Sequence, residues 1–378
     1  MSGLNPRHLG YAPSDQGGAP EPRASRRVLL LSAGHTGRVG GALQKLLAAE
    51  RARLLAEARV EFHTVCAVNR REQRWSEPAS PWRTDSTPRR AGDWPALLQR
   101  FAGFTGPKLF VDCTASPEVA ALYPELFRHG IGVVTANKLG NSGTQRDYLA
   151  LREAAAQHRV PYRYETTAGA ALPLLSPLAD LRDSGDRLLR IEAVLSGTLS
   201  FLFERLNQGA AFSAAVREAR DLGYAEPHPA EDLKAADSAR KLLVLIRESG
   251  IPWEPEQVTV RGLLPPGLEA QTDPERFLEK LAAHDGEWAR RAATARERGL
   301  RLACLAEFDG RHAHIGLTQV AAADPAARLA AGENLVRVWT RRYRPVPLSI
   351  AGPGAGTEVT AAGLLTDLIK AATIAERR

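Results

Sequence analysis

From Arg27 to about residue 157 the apolar residues alternate between short continuous runs and stretches at helical spacing. Val28 to Leu31 form a buried strand, a glycine-rich loop follows, and Ala42-Leu43, Leu46-Leu47 and Leu54-Leu55 mark a helix. The run Thr64 to Val68 predicts a second strand, Lys108 to Cys113 a third before a helix near 117–129, and Gly132 to Thr135 a fourth before a helix near 143–157. Between them, a segment rich in Pro, Trp and Arg at about 75–95 reads as a long surface loop. Strands alternating with helices predict a parallel sheet, hence an α/β fold. After about residue 160 the rhythm changes. Leu188 to Leu195 alternates like a strand with one exposed face, and a long helical stretch covers about 231–249. Strand-like runs recur near 300–308, 312–320 and 334–340, and Val359 to Ile374 is an amphipathic helix. This half predicts a second, α+β domain. Residues 1 to about 25 carry Gly, Pro, Ser and Arg without periodicity and are expected to be a disordered tail. No internal repeat is visible.

The chain has 378 residues, 44% hydrophobic and 25% charged, enough for two domains with real cores. Its net charge of +7 comes from 50 basic residues, only seven of them lysine: Lys45, Lys108, Lys138, Lys234, Lys241, Lys280 and Lys370. Where this chain needs only a positive charge it uses arginine, so each lysine carries some information. The basic residues are scattered and aromatics are 6%, which argues against a nucleic-acid groove and fits a small anionic ligand better. Cys66, Cys113 and Cys304 sit singly in apolar segments, as expected of small buried hydrophobes in a reducing compartment. No apolar stretch approaches the roughly 18 residues of a membrane helix, and no signal-peptide pattern opens the chain. The expectation is a cytoplasmic protein with a small-molecule substrate and neither a nucleic-acid nor a membrane partner.

Four segments carry candidate chemistry. Gly34, Gly37, Arg38, Val39 and Gly40 lie in a GxxGxxG loop that leaves a buried strand and opens a helix, where backbone amides can cradle a pyrophosphate. The plainer alternative is a tight turn in an αβ unit. Arg70 ends the second strand, where an acid often holds the ribose hydroxyls of NAD. An arginine there suits a 2′-phosphate, so NADP(H) is expected in preference to NAD(H), unless Arg70 is one more surface arginine. Thr114 and Lys138 follow the third and fourth strands, at the carboxyl ends where open parallel sheets bind ligands. The last segment runs from Gly223 to Lys241 and holds Glu226, Asp232, Asp237 and Lys241. Its prolines keep the first half irregular, and a helix capped by Glu231 or Asp232 follows, placing Asp237 and Lys241 on one face. The apolar run Leu242 to Ile246 buries that helix, so its Asp/Lys face is expected to line a cleft, where a desolvated amine can exchange a proton near neutral pH.

The stretches VDCTAS, VVTANK, YETTAGAALPLLSPLADL, LSGTLSFLF, the long segment AFSAAVREARDLGYAEPHPAEDLKAADSARKLLVLIRESG and GPGAGTEVTAAGLLTDLIK occur together and in order. They resemble homoserine dehydrogenase, in particular the dehydrogenase half of the bifunctional aspartokinase–homoserine dehydrogenases, over roughly residues 27–374. The resemblance implies a Rossmann-type dinucleotide-binding domain over 26–160, completed by a C-terminal helix in 356–378, and an α+β substrate-binding and dimerisation domain over 161–355. It implies a homodimer that interconverts L-aspartate 4-semialdehyde and L-homoserine with NAD(P)H, in threonine and methionine biosynthesis. By position it makes Lys241 the catalytic lysine, puts Glu226 and Asp237 on the amino-acid substrate with Asp232 beside them, sets Lys138 and Thr114 near the nicotinamide, and has Gly223 and Gly356 line the cofactor. Glu165 and the carbonyls of Ala168, Ala170 and Leu172 match the family's monovalent-cation loop, for Na+ or K+. Because the chain stops about four residues after its last helix, no C-terminal threonine-feedback domain is expected.

The chain also departs from the family pattern. Its glycine loop is one residue longer. Ala171 and Ala235 replace glycines, so a positive φ at Ala171 would strain the cation loop. His228 replaces an acid and reads as a solvated loop residue, while Lys234 puts a further ammonium near Lys241 that either lowers its pKa or points to water. These departures leave two alternatives: a related NADP(H)-dependent reductase of another small aldehyde or oxo acid, and an NADP(H)-binding protein without catalysis.

Overall fold

The computed structural model describes residues 25–76, 85–90, 93–261 and 263–374. The tail expected over 1–25 therefore lies, but for Ser25, outside the described residues. The apolar runs form β1 (Arg26–Ala33), β2 (Val60–Val68), β5 (Lys108–Asp112) and β6 (Gly132–Thr135), and with the more polar β3 (Glu72–Trp75), β4 (Asp85–Arg90) and β7 (Tyr162–Arg163) they make a seven-stranded sheet in the order β4-β3-β2-β1-β5-β6-β7. The five strands from β2 through β1, β5 and β6 to β7 pair in parallel. Their consecutive apolar residues follow from this, since helices cover both faces. The strand order runs outward from β1 in opposite directions, to β2 on one side and to β5 on the other, which makes β1 the switch point where α/β sheets bind ligands.

The surface loop expected at 75–95 is corrected in part. Glu72–Trp75 pairs antiparallel with β2, and Asp85–Arg90 pairs with Glu72–Trp75 in turn. Trp75 supplies the reason, since it is buried and its ring stacks on Phe104. The single helix expected near 117–129 is two, Pro117–Ala120 and Tyr123–Arg128, each opening with a proline in its first turn.

The second sheet comprises β8 (Leu188–Val194), β9 (Val258–Arg261), β10 (Leu300–Phe308), β11 (Ala313–Ala321), β12 (Glu333–Thr340) and β13 (Leu348–Pro353), in the order β13-β12-β8-β10-β11-β9. It is antiparallel except where β11 meets β9. One face, with Ile191, Ala193, Leu302, Ala306 and Phe308, packs against the helices Gly197–Asn207, Ala236–Glu248 and Asp285–Glu297. The last helix, Thr357–Ile374, returns to the first sheet and buries Ala361, Leu364, Leu368 and Ala372 with Val28, Leu30 and Val111. Among the described residues no helix is long and apolar enough to cross a membrane.

Candidate active site

A cavity of about 690 Å³ opens at the carboxyl ends of β1, β2 and β5, and Gly34, Gly37, Arg70 and Thr114 line it together with Thr36 and Asn69. Gly34 has φ 78°, its N–H donates to the Val68 carbonyl at 2.9 Å, and a Cβ on it would lie 3.0 Å from the Cys113 carbonyl oxygen. Glycine is required there both for the backbone angle and for the close approach of two strands. Gly40 is required for packing, because a Cβ would stand 2.3 Å from the Gly34 carbonyl oxygen. Arg38 and Val39 open the helix Arg38–Arg53 behind this turn and are not among the lining residues. Past β2, the Asn69 side-chain oxygen accepts the N–H of Arg71 at 2.8 Å and of Glu72 at 2.9 Å, a turn that presents Arg70 exposed at the cavity mouth.

The floor beside Thr114 is a buried polar network that the sequence did not single out. Asp112 is fully buried, and its carboxylate accepts the Thr114 N–H (2.7 Å), the Tyr123 hydroxyl (2.7 Å) and the Asn137 side-chain amide (3.0 Å). Burial raises its carboxyl above the ordinary range, against these hydrogen bonds. Asn137 also donates to the Ser116 carbonyl and accepts the Leu139 N–H, tying together the two loops that carry Thr114 and Lys138. Its signal in the sequence was the run of polar residues at the strand ends, VDCTAS and VVTANK.

Lys138, Asp237 and Lys241 are brought into one chain of charges. Lys138 Nζ is 3.2 Å from Asp237 Oδ1, and Lys241 Nζ is 3.0 Å from Asp237 Oδ2. Lys241 is buried and also donates to the Leu195 carbonyl at 2.8 Å, a partner that side-chain reasoning could not find. Burial lowers the Lys241 pKa from its ordinary value; Asp237 pulls it back up and Lys138 pushes it down. Burial works against ionised Asp237, but the two ammonium groups outweigh it and bring the carboxyl down to about 2.

The helix carrying this pair does not begin at Glu231 or Asp232 as expected. Ala230–Leu233 is a separate turn, Ala235 takes a left-handed φ of 49°, and the helix proper is Ala236–Glu248 with no side-chain cap. Asp232 is engaged elsewhere, since its Oδ2 accepts the Glu226 N–H at 2.8 Å. Ala235 thus holds the left-handed bend that glycine would take without strain. Glu226 itself is exposed. Lys234 pairs with Glu231 at 2.6 Å on the surface, so the like charge acting on Lys241 is Lys138. His228 is not solvated as expected: it packs on Phe277 with ring centroids 5.3 Å apart, and its Nδ1 accepts the Ala230 N–H.

Glu165 is buried at the other end of the site's framework. Its carboxylate accepts the N–H groups of Leu174, Leu175 and Ser176, at 2.6–2.9 Å, and the Ser176 hydroxyl. The backbone of Ala168 to Leu172 turns beside it, and the positive φ falls on Ala170 (54°), which corrects the expectation of strain at Ala171. Gly223 and Gly356 also have positive φ, 76° and 121°, and neither is among the residues lining the cavity. Among the described residues no group of three or more His, Cys, Asp or Glu is placed to hold a metal ion.

None of Lys138, Asp237 and Lys241 lines the cavity, but Asn137, which precedes Lys138, bonds to the Ser116 carbonyl at its wall. A glycine-lined cavity at a switch point, tied in this way to a pair of lysines sharing a carboxylate, suits a dinucleotide enzyme, and comparison with known proteins agrees. The family model for the NAD-binding domain of homoserine dehydrogenase matches residues 36–165, and the homoserine dehydrogenase model matches 173–369. A bifunctional aspartokinase/homoserine dehydrogenase of Zea mays chloroplasts is 40% identical over 268 residues, 70% of this chain and 29% of the relative. The chain thus spans under a third of that relative's length. The homoserine dehydrogenase of Emericella nidulans is 34% identical over 78% of this chain and 84% of its own. Among solved structures, a Candida auris protein of unknown function superposes with a TM-score of 0.82 at 30% identity, covering 92% of this chain and 98% of that one. A hyperthermophilic archaeal homoserine dehydrogenase in complex with NADPH shares the fold, with a TM-score of 0.68 at 22% identity over 92% of this chain and 98% of that one. With both family models matched in sequence order and the Emericella relative covered over most of its length, the chain belongs to the homoserine dehydrogenase family.

Proposed function

We propose that this protein is a homoserine dehydrogenase that interconverts L-aspartate 4-semialdehyde and L-homoserine with NADP(H), in the pathway to threonine and methionine. The observation that carries the reading is the Lys138–Asp237–Lys241 chain, with Lys241 buried and its pKa lowered. A bound nicotinamide supplies or accepts the hydride. The Lys241 ammonium donates a proton to the oxygen that becomes the alcohol and stabilises the charge developing on it; the neutral amine takes that proton back in the oxidative direction. Asp237 keeps Lys241 oriented and, with Glu226, offers carboxylates to the substrate's α-ammonium. Lys138 adds positive charge on the nicotinamide side.

The residues fit the dinucleotide. Gly34 and Gly37 leave room for the pyrophosphate, Thr114 reaches the ribose side, and exposed Arg70 at the cavity mouth matches a 2′-phosphate, favouring NADP(H) over NAD(H). In this reading residues 26–160 with 356–378 hold the dinucleotide, and 161–355 hold the substrate and the homodimer contact. A Na+ or K+ ion fits the Ala168, Ala170 and Leu172 carbonyls, hard oxygen donors, with Glu165 bracing the loop through its four hydrogen bonds. A cytoplasmic setting agrees with three unpaired cysteines whose thiols burial pushes up to about 12.

The test is consumption of NADPH by purified protein with the semialdehyde. Turnover is expected, and Lys241→Ala is expected to lose about 10²–10⁴-fold in kcat while still binding NADPH. Absence of turnover by the parent protein with either NADPH or NADH would overturn the reading.

A further inference from the structure

The two lysines of the site come from different parts of the fold. Lys138 stands at the start of the short helix Leu139–Ser142 beside the first sheet, and Lys241 lies on the helix Ala236–Glu248 beside the second. One further residue joins those two segments. Arg247 follows Lys241 on the same helix, and its side chain is fully buried. Its Nη1 donates to the Asn141 carbonyl at 3.0 Å, on the Lys138-bearing helix, and its Nε donates to the Trp253 carbonyl at 2.9 Å. The guanidinium lies 5.1 Å from the Tyr148 ring centroid. Its nearest carboxylate, Glu254, is 3.8 Å from Nη2 and half-exposed, and Nη2 has no hydrogen-bond partner.

A buried guanidinium without a close carboxylate costs more than an apolar side chain of the same size, so stability is a poor reason for an arginine here. What no apolar residue or lysine can do is reach two carbonyls on separate segments with a rigid planar fork. The neighbouring Glu248 braces the same helix end by accepting the Arg152 guanidinium (2.9 Å) and the Tyr164 hydroxyl (2.8 Å) from the first-sheet side. Resting on the functional reading above, we propose that Arg247 is a positioning residue that sets the distance between Lys138 and the Asp237–Lys241 pair.

The experiment compares the parent with Arg247→Lys, which keeps the charge and most of the stem, and Arg247→Met, which removes the charge. Both are expected to lose at least tenfold in kcat, with the NADPH KM changed less than twofold. The limb of the pH profile set by Lys241 is expected to move to higher pH as the Lys138 charge moves away. Amide hydrogen exchange in residues 139–142 is expected to accelerate in both variants. A purely structural arginine predicts a lower melting temperature with unchanged kcat and pH limb in Arg247→Lys, and that result overturns the proposal. If the parent itself does not turn over the semialdehyde, the functional reading fails, and exchange still decides the inference: parent-like exchange at 139–142 in Arg247→Lys overturns it, and faster exchange supports the coupling.

Discussion

Because Lys138 and Lys241 share the Asp237 carboxylate, two neighbouring substitutions should move one titration in opposite directions. Reduction needs the Lys241 ammonium, so its rate falls as pH rises through a pKa that burial has lowered. Asp237 raises that pKa and Lys138 lowers it. Asp237→Asn should therefore shift the falling limb of the reductive pH profile to lower pH, and Lys138→Met should shift it to higher pH. Steady-state rates across pH check both signs, and parallel shifts would contradict the geometry. Arg70 is tested at the same scale. A charge-assisted contact to a 2′-phosphate is worth about 1.5–3 kcal/mol, so Arg70→Ala should lose about that much in kcat/KM with NADPH and little with NADH. An unchanged kcat/KM with NADPH would make Arg70 an ordinary surface arginine.

The turn Gly169–Leu172 is closed by a hydrogen bond from the Leu172 N–H to the Gly169 carbonyl at 2.9 Å. Ala170 sits at its first central position with φ 54° and ψ −116°, the conformation of a type II′ turn, for which glycine is the natural residue. Ala170→Gly should stabilise the protein by about 1 kcal/mol, relieving backbone strain against a smaller entropic cost, while Ala171→Gly should give no gain. Denaturant midpoints of the two variants separate them. The turn shows where reading the sequence succeeds and stops. That this loop replaces a glycine was visible, but which alanine carries the positive φ depends on three-dimensional closure. The parallel strands β1, β2, β5 and β6 were legible because each is a continuous apolar run. The break at Ala235 was not, since Ala236–Glu248 and the preceding turn share one uninterrupted helical pattern, and the left-handed φ that parts them shows only in the folded chain. In the site, Asp237 and Lys241 were legible from their spacing. Asp112 and Asn137 left a trace only as polar residues at two strand ends, without the pairing between them, and Arg247 left none, because its partners are backbone carbonyls.

At the scale of the molecule, the last helix fastens the chain's end to the crossing between the two sheets. Asp367, on Thr357–Ile374, is buried and accepts the Glu165 N–H at 2.9 Å, while the Glu165 carboxylate holds the start of Leu175–Asp183, which leads toward the second sheet. Burial raises the Asp367 carboxyl to about 6; the Glu165 N–H opposes the rise, Glu165's charge adds to it, and Arg163 and Lys370 counter it. Since the folded value lies above the ordinary 3.8, Asp367 favours the folded state while protonated. That contribution is complete below about pH 4 and is lost as pH rises through 6. Above pH 7 the buried charge then costs on the order of 2–3 kcal/mol. Asp367→Asn keeps an acceptor for the Glu165 N–H and removes the charge. The variant should unfold at higher denaturant concentration than the parent at pH 7.5 and at nearly the same concentration at pH 4. A variant less stable than the parent at pH 7.5 would mean that the ionised carboxylate, held by Lys370 and Arg163, fastens the helix more strongly than its burial penalises it.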